Sequence, residues 1–428
     1  MVTYNLKPTR SSNPAYKLHI FLFVILFGYN FVLPHSSQAV SATMVILLAI
    51  ISLFQISSKS LSSINNMITL FLISSFIHVI YIAYGFSDHG NFEFLLINLL
   101  TFLVMPFVWI LISLWAVSKI TTINVVRIIA LLTILACGSV AIYFYLFLNF
   151  GSYAVSFFVR NSNVLIADGQ ASAAMFVYAT LIFSASAFLA APHVIRSIPL
   201  RVMIIIILVV TALTSGRSAL IVSLAIGAFI GIGMMVIAAS KGRRAKDSIS
   251  FSTYFVVLFA VFIAAMGLDS IIDEVNLFDT FENLFSKISA GGGFERTDQY
   301  TSLMQGISQT NGLGAGHGVG VNFIRDFSYP WRYELFFLSM VYRVGIIGAA
   351  IILIPYLVYV FAFAKRALYG TVEASHVFLF AGFCGSMFAA ATNPYPESYI
   401  FAWCYILPII AFFFDYSVSQ RRSYMYAS

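Results

Sequence analysis

Charge is scarce in this sequence. Only 9% of its 428 residues are Asp, Glu, Lys or Arg, whereas a soluble globular protein has roughly 25%. Hydrophobic residues make up 61%, and apolar runs recur from end to end at about 20 residues, the length that crosses a hydrocarbon core about 30 Å thick. The composition excludes a soluble fold and predicts an all-α, polytopic transmembrane protein.

Cysteines and metal-binding motifs are scarce too. The three cysteines, Cys137, Cys384 and Cys404, lie inside apolar segments without a CxxC pair, so neither a disulfide framework nor a zinc site is expected. The sequence contains no DxD-like or histidine-rich cluster. We therefore expect no metal ion and no other cofactor.

The net charge of +7 does not indicate nucleic-acid binding, because the basic residues lie in short loops between apolar runs and form no continuous face. Their distribution fits a membrane topology, with lipids as partners. One transmembrane domain, residues 1–428, is predicted to have twelve spans near 18–34, 39–56, 67–85, 92–117, 124–150, 171–191, 200–214, 218–240, 251–268, 334–364, 375–392 and 399–416.

Lys and Arg near the ends of spans set the orientation, because cytoplasmic loops carry an excess of them. With both termini in the cytoplasm, sixteen of the 23 Lys and Arg residues fall inside, six fall outside and Arg343 lies within a span. Seventeen residues precede the first apolar run, which is long for a cleaved leader. We expect that first span to be retained.

One external loop, residues 269–333 between spans 9 and 10, is far longer than a connection between neighbouring helices requires. Apolar residues recur in it at helical spacing, with Gly291–Gly293 between the two sets; these are Phe278, Phe281, Phe285 and Ile288, then Tyr300, Leu303, Met304 and Ile307. The pattern predicts two short amphipathic helices with a glycine hinge, at the membrane interface or over a cavity. The alternative is a loop folded only on itself.

Two arginines are candidate phosphate ligands, because a guanidinium binds phosphate through paired hydrogen bonds. Arg217 opens the eighth span, where the helix dipole disfavours a cation, and Arg296 begins the second amphipathic helix. The alternatives are an Arg217 side chain that reaches lipid headgroups and a local pair of Arg296 with Glu295 or Asp298.

The segment 312–320 has glycine at every second position. Such a segment can leave backbone N–H groups close to an anion or a sugar, so Gly314 and Gly316 are candidate ligands of such a group. No strand precedes it, which argues against a dinucleotide fingerprint. His317 is a candidate base or phosphate ligand, although a lone loop histidine is more often only solvated.

Glu334 is predicted to begin the tenth span, where its carboxylate could face an external cavity. Arg343 follows nine residues later, about 13 Å along a helix and on its opposite face. A charge at that depth usually faces a polar interior or a partner. Arg343 is therefore a candidate functional charge that does not pair with Glu334 within one helix.

In this order, the features resemble the O-antigen polymerase and O-antigen ligase superfamily. The matching parts are Thr214 to Arg217 at a helix start, Arg296 in a large external loop, the glycine-rich 312–320, and Glu334 followed by Gly345-Ile346-Ile347-Gly348. The resemblance covers residues 200–350; the first 200 residues match only as generic spans. Ligases of this superfamily commonly have histidine where Glu334 stands, which favours a polymerase.

The resemblance implies a glycosyltransferase in the bacterial inner membrane, which joins undecaprenyl-pyrophosphate-linked oligosaccharide repeat units at the periplasmic face into O-antigen, capsular polysaccharide or exopolysaccharide. Arg217 and Arg296 would stabilise the leaving pyrophosphate, with Gly314 and Gly316 as further ligands of it. Glu334 or His317 would accept the hydroxyl proton. A flippase and a chain-length regulator are the implied protein partners.

Two alternatives stay open. One is a ligase of the same superfamily, which moves finished polysaccharide to lipid A core or to a protein. The other is a flippase or transporter for lipid-linked sugars, which would be expected to distribute polar residues through many spans and often to show internal repeats. Here the polar residues concentrate on one external face.

Overall fold

The computed structural model describes residues 14–34, 38–89, 92–155, 164–167, 170–173, 176–215, 217–240, 294–325 and 329–427. In chain order the α-helices of these ranges are α1 (Pro14–Val32), α2 (Gln38–Gln55), α3 (Ser58–Ser63), α4 (Asn65–His89), α5 (Phe92–Leu99), α6 (Met105–Lys119), α7 (Thr122–Val155), α8 (Val177–Ala190), α9 (Ile198–Thr214), α10 (Ser218–Ser240), α11 (Phe294–Gln309), α12 (Phe336–Leu368), α13 (Ala374–Ala390) and α14 (Trp403–Ala427). The prediction of a helical membrane protein is confirmed.

Six helical stretches in these ranges are long and apolar enough to cross a membrane: Pro14–Val32, Asn65–Ser87, Phe92–Lys119, Thr122–Phe147, Ser218–Ser240 and Phe336–Leu368. The third runs through α5 and α6, which a π-helical segment, Leu100–Val104, joins. Four further apolar helices have only 10–17 residues. The total of twelve spans stays a prediction, and the predicted ninth span, the first amphipathic helix and the glycine hinge lie outside the described residues.

The predicted sixth span, 171–191, begins too early. A strand, β2 (Gln170–Ala173), occupies its first residues and pairs antiparallel with β1 (Val164–Ala167). The helix α8 starts only at Val177, and its 14 residues extend about 21 Å, less than a hydrocarbon core of about 30 Å. The apolar composition of this segment therefore reflects burial within the protein, since every residue of α8 is buried.

The main core surrounds α8, which packs against α10 and α13. Small residues let the backbones approach closely: a Cβ added at Gly227 of α10 would lie 2.3 Å from the Ser186 carbonyl oxygen, and one at Gly385 of α13 would lie 2.1 Å from Ser186 Oγ. Close approach at small residues is typical of helices packed in a membrane. The ring of Phe183 on α8 lies 4.7 Å from the ring of Trp403 at the start of α14.

Helix ends that the topology assigns to the cytoplasm meet in the structure. Asn124 Nδ2 of α7 donates to the Tyr16 hydroxyl of α1 at 2.6 Å, and Thr122 Oγ1 donates to Asp415 Oδ2 of α14 at 2.6 Å. These contacts agree with an alternating topology. The side of the membrane on which they lie stays a prediction.

The helix α12 is kinked at Gly345, where φ is +72°, a value that favours glycine. The kink leaves carbonyl groups of the first part of α12 without intrahelical partners, and the glycine-rich segment supplies donors: Ala315 N–H donates to the Tyr342 carbonyl at 2.8 Å and Gly316 N–H to the Arg343 carbonyl at 2.9 Å. A broken helix at membrane depth requires such replacement partners.

Candidate functional site

Arg217 lies directly before α10, as the sequence predicts. Its main-chain N–H donates to Ser215 Oγ at 3.1 Å, and Ser215 is fully buried, so the turn between α9 and α10 is fixed from inside the protein. The Arg217 side chain is partly buried and interacts electrostatically with the phenols of Tyr178 and Tyr395.

Glu334 lies between two arginines. Arg296 Nε is 2.8 Å from Glu334 Oε2, and Arg325 Nη2 is 2.8 Å from Glu334 Oε1. The side chains of Arg296, Glu334 and Arg325 are 26%, 20% and 38% exposed. Ion pairs with this much water access contribute only about 0–1 kcal/mol each to stability, so the three side chains, hereafter the outer cluster, can exchange partners at little cost.

The helix α11 positions Arg296 against the start of α12. The helix α11 confirms the prediction that the second amphipathic segment of the loop is helical. Leu303 of α11 is fully buried against Tyr333 and Tyr342, and Gln299 Oε1 accepts a hydrogen bond from the main-chain N–H of Leu335 at 2.8 Å. Because Leu335 directly follows Glu334, this bond holds Arg296 and Glu334 in register.

Tyr395 has a phenol on which both Arg217 and Glu334 of the outer cluster act electrostatically. It lies in a short 3-10 segment, Tyr395–Glu397, between α13 and α14. Burial raises the pKa of the Tyr395 phenol above its usual value, the positive charge of Arg217 acts against that rise, and the negative charge of Glu334 adds to it. Arg217 and Glu334 therefore both act electrostatically on one phenol, and Arg296 and Glu334 are in direct contact.

A second arrangement of two arginines around a glutamate lies deeper in the protein. Arg343 Nη1 is 2.6 Å from Glu397 Oε1, and Arg332 Nε is 3.3 Å from Glu397 Oε2. Arg343 Nη2 also donates to the Trp331 carbonyl. We call Arg343, Glu397 and Arg332 the inner cluster; its Arg343 and Glu397 side chains are only 2% and 5% exposed.

The sequence predicts that Glu334 and Arg343 lie on opposite faces of one helix, and the structure corrects this prediction in part. The helix α12 begins at Phe336, so Glu334 precedes it and the two residues do not share one helix. The expectation that they do not pair holds among the described contacts, since Glu334 pairs with arginines of the loop and Arg343 pairs with Glu397. The buried ion pair gives Arg343 a structural partner.

The glycine-rich segment does not present its backbone N–H groups as expected. The N–H groups of Ala315, Gly316 and His317 donate to carbonyl groups of α12 and α4, so they are not available to an anion. Its glycines serve close packing: a Cβ at Gly314 would lie 2.5 Å from the Gly345 nitrogen, and one at Gly316 would lie 2.6 Å from Gly85. The Gly316 N–H is therefore not available to a pyrophosphate, and the role of Gly314 as a pyrophosphate ligand stays a prediction.

His317 is buried, not solvated. Its Nε2 lies 3.0 Å from Nδ1 of His78, and its ring packs against Phe102. Its Nδ1 is buried and has no hydrogen-bond partner among the described residues. Burial lowers the pKa of His317 well below its usual value, with smaller contributions from His78 and from the charge of Arg343. The structure thus places this candidate base beside the inner cluster and away from water.

Arg325, Tyr395 and Glu397 are site residues that sequence reasoning missed. A buried charge such as Arg343 demands a partner, and the acid in the short external loop between predicted spans 11 and 12 was the available signal for Glu397. Arg325 and Tyr395 carry no comparable pattern. Within the described ranges, no group of three His, Cys, Asp or Glu side chains is placed to hold a metal ion.

Comparison with known proteins adds no relative: no protein-family model matches this chain, and no curated protein matches it. The principal chemical feature of this region is the pair of arginines on Glu334, Arg296 and Arg325, with Arg217 acting electrostatically on the phenol of Tyr395. Their excess of positive charge suits an anionic group with more than one negative charge.

Proposed function

We propose that this protein is a glycosyltransferase that joins lipid-pyrophosphate-linked oligosaccharide repeat units into a surface polysaccharide of a bacterium. The observation that carries the proposal is the ion pair of Arg296 with Glu334, in which Nε lies 2.8 Å from Oε2, together with the position of Arg217 directly before α10. These residues come from three separate parts of the chain and are the ones that the resemblance to O-antigen polymerases assigns to the site.

In the proposed reaction, a sugar hydroxyl of one lipid-linked unit attacks the anomeric carbon of a chain linked to undecaprenyl pyrophosphate. The new carbon–oxygen bond forms as the bond from that carbon to the pyrophosphate oxygen breaks. The hydroxyl proton passes to the Glu334 carboxylate, and undecaprenyl pyrophosphate leaves. Fixed arginine donors stabilise the charge that develops on the leaving group.

Glu334 suits the role of base better than His317 does. A general base must come within hydrogen-bond reach of the proton that it accepts, and Glu334 is 20% exposed whereas His317 is 4% exposed and paired with His78. The proposal therefore assigns proton transfer to Glu334 and leaves His317 a packing role against α4.

A location in the inner membrane, with the outer cluster on the periplasmic side and both termini in the cytoplasm, belongs to the same proposal. It rests on the distribution of Lys and Arg near span ends. The ligase and the flippase are the competing functions, and neither is favoured by a particular contact among the described residues.

The test is the surface glycan profile of a strain that lacks the protein. A polymerase defect should leave a glycolipid with one repeat unit and no ladder, because synthesis, flipping and ligation proceed without polymerisation. Long chains stranded on undecaprenyl pyrophosphate would indicate a ligase instead. Single units retained in the cytoplasmic leaflet would indicate a flippase.

A further inference from the structure

Both carboxylate oxygens of Glu334 are held by guanidinium groups. Oε2 is 2.8 Å from Arg296 Nε, and Oε1 is 2.8 Å from Arg325 Nη2. Guanidinium groups bind carboxylate and phosphate in the same way, through short charge-assisted N–H···O bonds. In this arrangement Glu334 therefore fills the place that an anionic ligand of the two arginines would take.

The outer cluster is accessible enough for such a ligand to enter. Arg325 is 38% exposed and Arg296 is 26% exposed, whereas the corresponding arginine of the inner cluster, Arg343, is only 2% exposed. Neither guanidinium of the outer cluster needs to leave a buried environment to change its partner.

We infer that Glu334 is an internal substitute for a pyrophosphate group, and that Arg325 is a further ligand of that group beside Arg296. This inference rests on the proposed function for the identity of the anion. A pyrophosphate carries more negative charge than one carboxylate, so it displaces Glu334 from both arginines. The displaced carboxylate then has free oxygens beside the bound donor and can accept the hydroxyl proton.

This exchange couples donor binding to release of the base. Without the donor, the Glu334 oxygens are held by Arg296 and Arg325, so an incoming hydroxyl meets an engaged base. With the donor, the same arginines neutralise the leaving group. No covalent step is involved in the exchange itself, only a change of ion-pair partners.

The test measures binding of inorganic pyrophosphate to the purified full-length protein in detergent, with farnesyl pyrophosphate as the lipid-linked probe and farnesyl monophosphate as a mimic of a headgroup phosphate. Glu334→Gln removes the competing charge. Its matched control is Glu295→Gln, which removes a charge from an exposed neighbour of Arg296 on the same helix. Arg325→Ala is matched by Arg332→Ala, whose side chain is 33% exposed.

We expect Glu334→Gln to bind both pyrophosphates about tenfold more tightly, because the charge that competes for the arginines is gone. We expect Arg325→Ala to bind them about tenfold more weakly, because one charge-assisted contact to the ligand is lost. The two control variants should change affinity less than about threefold, since exposed charges that do not touch the ligand are screened. Farnesyl monophosphate should bind more weakly than farnesyl pyrophosphate.

An affinity of Glu334→Gln equal to or below that of wild type would overturn the inference, as would wild-type affinity in Arg325→Ala. Preference for the monophosphate would also overturn it. The assay needs no glycosyl transfer, so the two proposals fail separately. If the variants bind pyrophosphate as expected but the deletion strain still makes a full ladder, only the polymerase proposal is contradicted. If the deletion strain loses its ladder but Glu334→Gln binds pyrophosphate as wild type does, only the exchange is contradicted.

Discussion

The outer and inner clusters have the same composition and opposite surroundings. Each holds one glutamate between two arginines, Glu334 in the outer cluster and Glu397 in the inner one. Glu334 is 20% exposed and Glu397 is 5% exposed. The glutamate of the outer cluster thus meets water, whereas Glu397 and Arg343 of the inner cluster are enclosed by protein and only Arg332 there is partly exposed.

Burial decides what each cluster can do. Removing one partner of a buried ion pair leaves an uncompensated charge and is strongly destabilising, so the inner cluster holds its geometry and fixes the loop of Glu397 to α12. Partners in an exposed pair separate at little cost. The outer cluster can therefore accept a ligand, and the inner cluster keeps nearby Tyr395 in place.

The largest expected effect is loss of polymer in Arg217→Ala and Arg296→Ala. Each removes a donor to the leaving group, which typically costs about 100- to 1000-fold in rate. Lysine should restore little activity, because its point charge lacks the two-pronged geometry. The measurement is the surface polysaccharide ladder of a deletion strain that carries each variant at equal protein level.

Arg196→Ala serves as the control for that experiment, since Arg196 is exposed and lies on the opposite predicted side of the membrane. It should give a full ladder. A full ladder from Arg217→Ala or Arg296→Ala would remove that arginine from the site.

The next effect is on stability and concerns the inner cluster. Arg343→Met should lower the free energy of unfolding by about 3–5 kcal/mol, because Glu397 stays buried with its main partner gone. The measurement is thermal unfolding in detergent. A melting temperature equal to that of wild type would mean that the buried ion pair does not support the fold.

A smaller effect is expected on the pH dependence of stability. The folded-state pKa of His317 lies well below 6.5, so between that lowered value and 6.5 the unfolded chain binds a proton that the folded chain does not. Stability from this group is complete above 6.5 and decreases as pH falls, by about 1 kcal/mol at one pH unit below. Melting temperatures at pH 7.5 and 5.5 should differ less in His317→Gln than in wild type.

The smallest effect is expected from Arg332→Ala. Arg332 lies 3.3 Å from Glu397 but is 33% exposed, so its loss should cost no more than about 1 kcal/mol. Thermal unfolding beside Arg343→Met makes the comparison direct, because both arginines contact the same carboxylate. An equal loss in the two variants would show that burial does not separate their roles.

The sequence predicted the helical membrane class and several local features well. Charge scarcity and apolar runs are properties of composition, and the start of α10 directly after Arg217 follows from a polar interruption of an apolar stretch. The spacing of Tyr300, Leu303, Met304 and Ile307 predicted α11. These features depend on residues close together in the chain, where periodicity carries information.

What the sequence did not predict depends on contacts between distant segments. The kink at Gly345 exists because the glycine-rich segment binds the carbonyl groups there. The pairs of Arg296 with Glu334 and of Arg343 with Glu397 join residues 38 and 54 positions apart. Residues 171–173 were assigned to a helix because apolar composition alone does not separate a strand from a buried helix end.

The most direct test compares Glu334→Gln with Glu397→Gln in vesicles that contain the purified protein and lipid-pyrophosphate-linked repeat units. We expect Glu334→Gln to form no ladder and to have a free energy of unfolding within about 1 kcal/mol of wild type. We expect Glu397→Gln to have a lower melting temperature but to form a ladder at temperatures where it is folded. A full ladder from Glu334→Gln, or no ladder from folded Glu397→Gln, would contradict these expectations.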